Sequence, residues 1–132
     1  MPFNKEFLTY FFNYPFSKKK KIRKLIFLSN YIRFKRKWKK CYKIPSYIAN
    51  GRILEVGCSY GGFLILLKNL GWMVKGLELN KEAVKFAKNR LKLDVENGSI
   101  EDFQSDVQFD IIYLKMVLEH VESPKKVLTK CF

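Results

Sequence analysis

A short run rich in branched apolar residues, RILEVG at 52–57, passes directly into Cys58-Ser59-Tyr60 and then into the nearly apolar stretch 61–70, which opens on Gly61-Gly62. Few architectures accept that order. The run suits a strand covered on both faces, and glycines where a strand enters a helix allow a tight turn with close approach of the backbone to a ligand. The stretch that follows reads as a helix, with Gly71 where a left-handed cap is wanted. A buried strand turning sharply into a buried helix is the opening unit of a parallel α/β sheet.

The unit recurs. Residues 73–79 (MVKGLEL) read as a second strand, Asn80 as the N-cap of a helix over 81–91 that buries Ala83, Val84, Ala87 and Leu91. A third strand is expected near 93–95 and a fourth over 109–116 (FDIIYLKM). Ser123-Pro124 supplies N-cap and first helical position for a last helix reaching Lys130. Helices of about ten residues between strands imply right-handed crossovers and hence an open, Rossmann-like parallel sheet of about four strands. Ligands of such sheets bind beyond the carboxyl ends of the strands, where strand order reverses. The search therefore narrows to four loops, at 57–61, 79–80, 98–102 and 115–120.

Charge separates this sheet domain, 51–132, from what precedes it. Residues 1–50 carry fourteen Lys and Arg against the single acid Glu6, whereas 51–132 carry twelve bases against eleven acids. Within 17–42 the aromatics Phe27, Tyr31, Phe34 and Trp38 recur at helical spacing among the Lys and Arg, and Pro45 ends the pattern. The expected organisation is a basic, aromatic-rich helical extension over 1–50 followed by the sheet domain. Three readings of the extension stand together: a grip on nucleic acid, adhesion to an anionic membrane surface through 17–43, or a stripe packed on the sheet domain. With 21 Lys and only five Arg, the basicity also suits an AT-rich coding sequence. The cysteines, Cys41, Cys58 and Cys131, form no CxxC pair, which fits a reduced, cytoplasmic setting, peripheral to a membrane if the extension adheres to one. No metal ligands are assigned.

The ligand class is read from carboxylates. A dinucleotide turn needs glycine at 57, 59 and 62, and Ser59 stands in the middle of that pattern. Glu55 lies at the mouth of the loop, where it repels a pyrophosphate and attracts a ligand bearing an ammonium and a sulfonium. One such pair at ~4 Å contributes about 4 kcal/mol at an effective dielectric of 20, before desolvation. Glu78 ends the second strand 21 residues after Gly57, near the ~20 expected of an acid that accepts ribose hydroxyls.

With these residues in place, ILEVGCSYGGFLILLKNLGWMVKGLELNKEAVKFAKN resembles the first two strand-helix units of class I S-adenosylmethionine-dependent methyltransferases, and FDIIYLKMVLEHVESPKKVL resembles their fourth strand and next helix. The resemblance implies S-adenosylmethionine as cofactor, with Glu55, Gly57, Cys58, Ser59 and Gly61 at its methionine end, Glu78 on the ribose, and Leu79 on one adenine face. Ser99 and Ile100 fall in the adenine loop, Ser99 standing where an Asp is common. Cys58, pointing out of the turn with no base beside it, is assigned contact alone.

Because the sulfonium already supplies an activated methyl, orientation and charge placement carry most of the rate. His120, the only histidine, is either a general base for a hydroxyl acceptor or a structural loop residue. The expected acceptor is a small molecule, a glycan or a lipid-linked precursor. The alternative is a nucleic-acid- or membrane-binding module carrying an inactive cofactor half. The resemblance implies seven strands, of which four precede Phe132, so either the chain is expected to be a fragment of a longer one or a partner chain is expected to cover the apolar edge of the fourth strand.

Overall fold

The computed structural model describes residues 44–132. The helix, the aromatic stripe and the phosphate- or membrane-binding surface read for residues 1–43 lie outside the described residues. Tyr47–Phe132 forms one compact unit.

In chain order its elements are β1 (Arg52–Val56), α1 (Gly62–Asn69), β2 (Met73–Glu78), α2 (Lys81–Leu91), β3 (Val95–Asn97), β4 (Ile111–Tyr113), a single 3-10 turn (Leu118–His120) and α3 (Pro124–Cys131). All strand pairs are parallel and the order across the sheet is β3-β2-β1-β4. The expected Rossmann-like sheet is therefore present. Glu55 of β1 stands opposite Gly76 of β2 and Tyr113 of β4, and Glu78 stands opposite Asn97 of β3.

β1 is covered on both sides, as its composition requires. Successive strand residues face opposite ways, and Ile53 and Leu54 are both essentially inaccessible. Leu54, Val56 and Leu77 pack with Ile100, Phe103 and Val127 of α3. The opposite face, that of Glu55 and Gly76, meets α1: a Cβ at Gly76 would come within 2.6 Å of Leu64 Cδ1, so the helix lies against bare backbone there. Burying the side chains of Phe63, Leu64, Leu66 and Leu67 on α1 contributes about 1.5 to 3 kcal/mol each.

The helix ends follow local chemistry. At the end of α1, Gly71 is left-handed (φ 97°), its N–H donates to Lys68 O, and that of Trp72 reaches Leu67 O. This is the paired bonding of a glycine-terminated helix, and Trp72 is buried behind it. Asn80 Oδ1 accepts from Glu82 N–H (2.9 Å) and Ala83 N–H (3.1 Å), and Ser123 Oγ accepts from Lys126 N–H at 3.4 Å. Asn80→Ala should lower stability by about 1 kcal/mol, read as a lower urea midpoint at unchanged slope.

Strand boundaries differ from expectation: β1 stops at Val56 and β2 at Glu78, each one residue early, and β3 and β4 differ more. β3 begins at Val95, because Lys92 turns left-handed (φ 54°) and Leu93 is drawn into the core, its N–H bonded to Ala87 O. Pairing starts only where Gly76 N–H meets Asp94 O. β4 keeps three residues: Asp110 ties to Arg52 through backbone and carboxylate, and Met116 (φ 54°) breaks the extended chain beyond. β4 is an edge strand; among the described residues no strand pairs its outer side. No helix of the described residues is long and apolar enough to cross a membrane.

Candidate functional site

The chain leaves β1 toward β2 and β3 and returns to place β4 on the other side of β1. Strand order therefore reverses at β1, and the connections there part to leave a crevice.

The turn after β1 is held by backbone and by one carboxylate. Three of its residues are left-handed, Gly57 (φ 71°), Ser59 (φ 50°) and Gly61 (φ 81°). The N–H groups of Gly57 and Cys58 both donate to Leu77 O at 2.8 and 3.1 Å, and Gly61 N–H donates to Cys58 O at 2.9 Å. Glu78 closes the arrangement: Oε2 accepts Ser59 N–H at 2.7 Å and Oε1 accepts Asn80 N–H at 2.8 Å. One side chain thus joins the turn after β1 to the start of α2. Charge-assisted bonds of this length help hold Ser59 in a conformation that costs about 1 to 3 kcal/mol outside glycine. A side chain at Gly61 would force Leu93 to move, because a Cβ would sit 2.5 Å from Leu93 Cδ1.

Glu55 is not at the mouth of the loop but beneath it, 4% exposed, with Oε2 buried and without a hydrogen-bond partner. Strand alternation sets this depth: position 55 faces the same side as Ile53, toward α1. Burial first, and then the Glu78 carboxylate, push its carboxyl well above the usual carboxylate range, while Lys115 pulls the other way. Cys58 likewise turns inward instead of out of the turn. It is 4% exposed, and a Cβ at Gly76 would stand 2.6 Å from its Sγ. Burial, then Glu55 and Glu78, drive its thiol out of the thiolate range, so it is no nucleophile. The Tyr113 hydroxyl is raised by burial and by Glu55.

Beside the turn opens a cleft of about 600 Å³. Of the residues expected from sequence, it brings together Gly57, Glu78, Leu79, Ser99, Ile100 and His120. Glu55, Cys58, Ser59 and Gly61 belong to the adjoining turn and its underside, not to the cleft wall. Leu79 stands 71% exposed at the rim, whereas Ile100 is core, 3% exposed. His120 ends the 3-10 turn, its N–H on Val117 O, with its side chain exposed to the cleft.

Sequence reasoning missed Asp102. Ser99 Oγ donates to Asp102 Oδ2 at 2.8 Å and accepts Asp102 N–H at 3.2 Å, so the hydroxyl is engaged within its own turn and the carboxylate beside it lines the cleft. The Ser-x-x-Asp spacing was the available signal, since it is that of a reciprocal cap. Met116 and Val117 also line the cleft, the latter so close that a Cβ on Gly57 would stand 3.0 Å from its Cγ2. Glu78, Glu101, Asp102 and Glu122 supply four carboxylates to the wall, to which no Lys or Arg of the described residues contributes. A cleft of that sign draws cations, although the chain as a whole carries +14.

The ubiquinone biosynthesis O-methyltransferase of Thiobacillus denitrificans is 31% identical over 91 residues, covering 64% of this chain and 39% of that enzyme. Among solved structures, a SAM dependent methyltransferase from Archaeoglobus fulgidus superposes with a TM-score of 0.57 at 23% identity, covering 76% of this chain and 44% of that one. A glycopeptide N-methyltransferase complexed with S-adenosyl-L-homocysteine gives 0.55 at 20% identity, over 74% and 42%. The chain thus spans about two fifths of the length of such relatives. Residues 54–132, more than half of the chain, match the methyltransferase-domain family, from β1 through the turn, the cleft and α3, and the chain belongs to that family.

Proposed function

We propose that this chain binds S-adenosylmethionine in the cleft beside the Gly57–Gly61 turn and serves methyl transfer to a small-molecule, glycan or lipid-linked acceptor. The observation that carries the reading is Glu78. Its carboxylate is fixed by two backbone N–H groups at the lip of the cleft, and a carboxylate has lone pairs left for a pair of ribose hydroxyls. The orphaned Oε2 of Glu55 supports the same assignment, since a buried acceptor without a partner is costly unless a ligand answers it.

When bound, the cofactor supplies a methyl group already activated by positive sulfur. The chain's residues have the remaining tasks. Gly57, Cys58, Ser59 and Gly61 present backbone to the methionine end above Glu55, Glu78 takes the ribose, and Leu79 and Ile100 flank the adenine. Ser99, whose hydroxyl is engaged, acts by holding Asp102. His120 accepts the proton of a hydroxyl acceptor.

Two measurements test this. S-adenosylhomocysteine should bind in titration calorimetry while NAD, with its diphosphate, should not; NAD binding with comparable affinity overturns the reading. His120→Ala should slow methyl transfer to hydroxyl acceptors at least tenfold, with S-adenosylhomocysteine affinity unchanged. Equal turnover removes His120 as the base and leaves the cofactor reading standing.

A further inference from the structure

Glu55 is the one buried charged or polar side chain among the described residues, and it stands directly under the cofactor turn with an unanswered oxygen. Its neighbours are Gly76 across β2, which contributes no side chain, and Tyr113 across β4, whose ring packs edge-on against Phe63 of α1 at 5.0 Å. The titratable and charged groups around it are Glu78 at the end of β2, Cys58 in the turn, Tyr113 on β4 and Lys115 just beyond it. The buried surface of α1 is apolar. Removal from water and a second carboxylate nearby both disfavour charge here, and Lys115 does not reverse that balance.

We propose that the carboxyl of Glu55 holds a proton while the cleft is empty and releases it to solvent when the ammonium at the amino-acid end of the cofactor arrives, so that cofactor capture is proton-linked. The inference rests on the cofactor reading given above. Its physical basis is symmetric: a positive group arriving at the turn favours the carboxylate, and the carboxylate favours the positive group, so affinity and ionisation rise together. Without ligand, the site avoids a bare charge facing Glu78. With ligand, Oε2 of Glu55 gains a partner that the protein does not supply. Recognition is then specific to the ammonium of the amino-acid end. A neutral nucleoside that fills only the ribose and adenine positions would leave the proton in place.

The sign of the ligand-free consequence follows from the same shift. The folded chain holds the Glu55 proton more tightly than the unfolded chain does, where the usual carboxylate value is 4.5. Its stabilising contribution is therefore fully present below that value and is lost as pH rises through the elevated folded value.

The test is calorimetric titration of the full chain with S-adenosylmethionine, S-adenosylhomocysteine and the neutral 5′-methylthioadenosine, in two buffers of different ionisation enthalpy near pH 6. The expected result is release of about one proton with the two amino-acid-bearing ligands and none with 5′-methylthioadenosine. Below the folded pKa of Glu55, affinity for the two should rise about tenfold per pH unit. Glu55→Gln should bind them more weakly, with no proton released and a flat pH profile. Urea denaturation without ligand supplies a separate readout: the wild-type midpoint should fall as pH rises above the ordinary carboxylate range, and Glu55→Gln should remove that component. Binding without proton release, or a slope that survives Glu55→Gln, overturns the inference and spares the cofactor reading. Absence of binding by all three ligands overturns the cofactor reading and the inference with it.

Discussion

Replacing Glu78 by alanine is expected to weaken S-adenosylhomocysteine binding about a hundredfold, equivalent to roughly 3 kcal/mol, and to loosen the turn that forms the site. Two effects combine. The proposed acceptor for the ribose is removed, and the N–H groups of Ser59 and Asn80 lose a charged partner at 2.7 and 2.8 Å. Bonds to a charged group contribute about 1.5 to 3 kcal/mol each where shielded from water, and Ser59 is half-buried. Glu78→Gln separates the two effects. Its amide keeps one acceptor oxygen, so the turn should survive in part, while binding falls between wild type and Glu78→Ala. Calorimetry with S-adenosylhomocysteine reads the affinity and thermal unfolding reads the turn. An alanine variant that binds within threefold of wild type would show that the carboxylate serves the fold alone.

A methyl group at Gly61 should be the most damaging single change to the fold around the site. Gly61 is left-handed, which costs a residue with a Cβ about 1 to 2 kcal/mol. That Cβ would also meet Leu93 Cδ1 at 2.5 Å, with Ala87 and Leu91 behind it at 3.4 and 3.5 Å. Overpacking of this kind costs about 1 to 3 kcal/mol, so Gly61→Ala should destabilise the unit by roughly 3 kcal/mol. The contact partners lie on α2 and just beyond it. The strain therefore falls on the packing of the turn against α2, which also carries the Asn80 cap and one end of the Glu78 clasp. Urea denaturation should show the lowered midpoint. Leu93→Ala in the Gly61→Ala background should recover part of the loss if the clash is its cause, whereas an unchanged midpoint in the double variant would assign the loss to backbone strain.

Several features were legible before any coordinates because they are local. Asn80 at the start of an amphipathic segment, Ser123 before Pro124 and Gly71 after an apolar helix each specify a helix end through bonds spanning at most five residues, and these three caps stand where they were expected. β1 was equally plain, since a strand covered on both faces must be apolar throughout. The carboxylate at the end of β2 followed from spacing, because a strand-helix-strand unit of fixed length returns the chain to the same edge of the sheet.

What could not be read depended on how one strand faces another. Sequence placed Glu55 near the turn, but whether it pointed to solvent or beneath the backbone was set by the β1 alternation against α1. The same packing turned Cys58 inward over Gly76. Asp102 entered the cleft through a reciprocal bond with Ser99, and β4 stopped after three residues where Met116 takes a left-handed conformation. Local chemistry along the chain determined the α/β units, their caps and the places of Glu55 and Glu78 near the ends of β1 and β2. Burial in three dimensions decided that one acid, Glu78, is clasped and at the lip of the cleft while the other, Glu55, is stranded in the interior, because desolvation depends on neighbours that come from every other strand and helix of the unit.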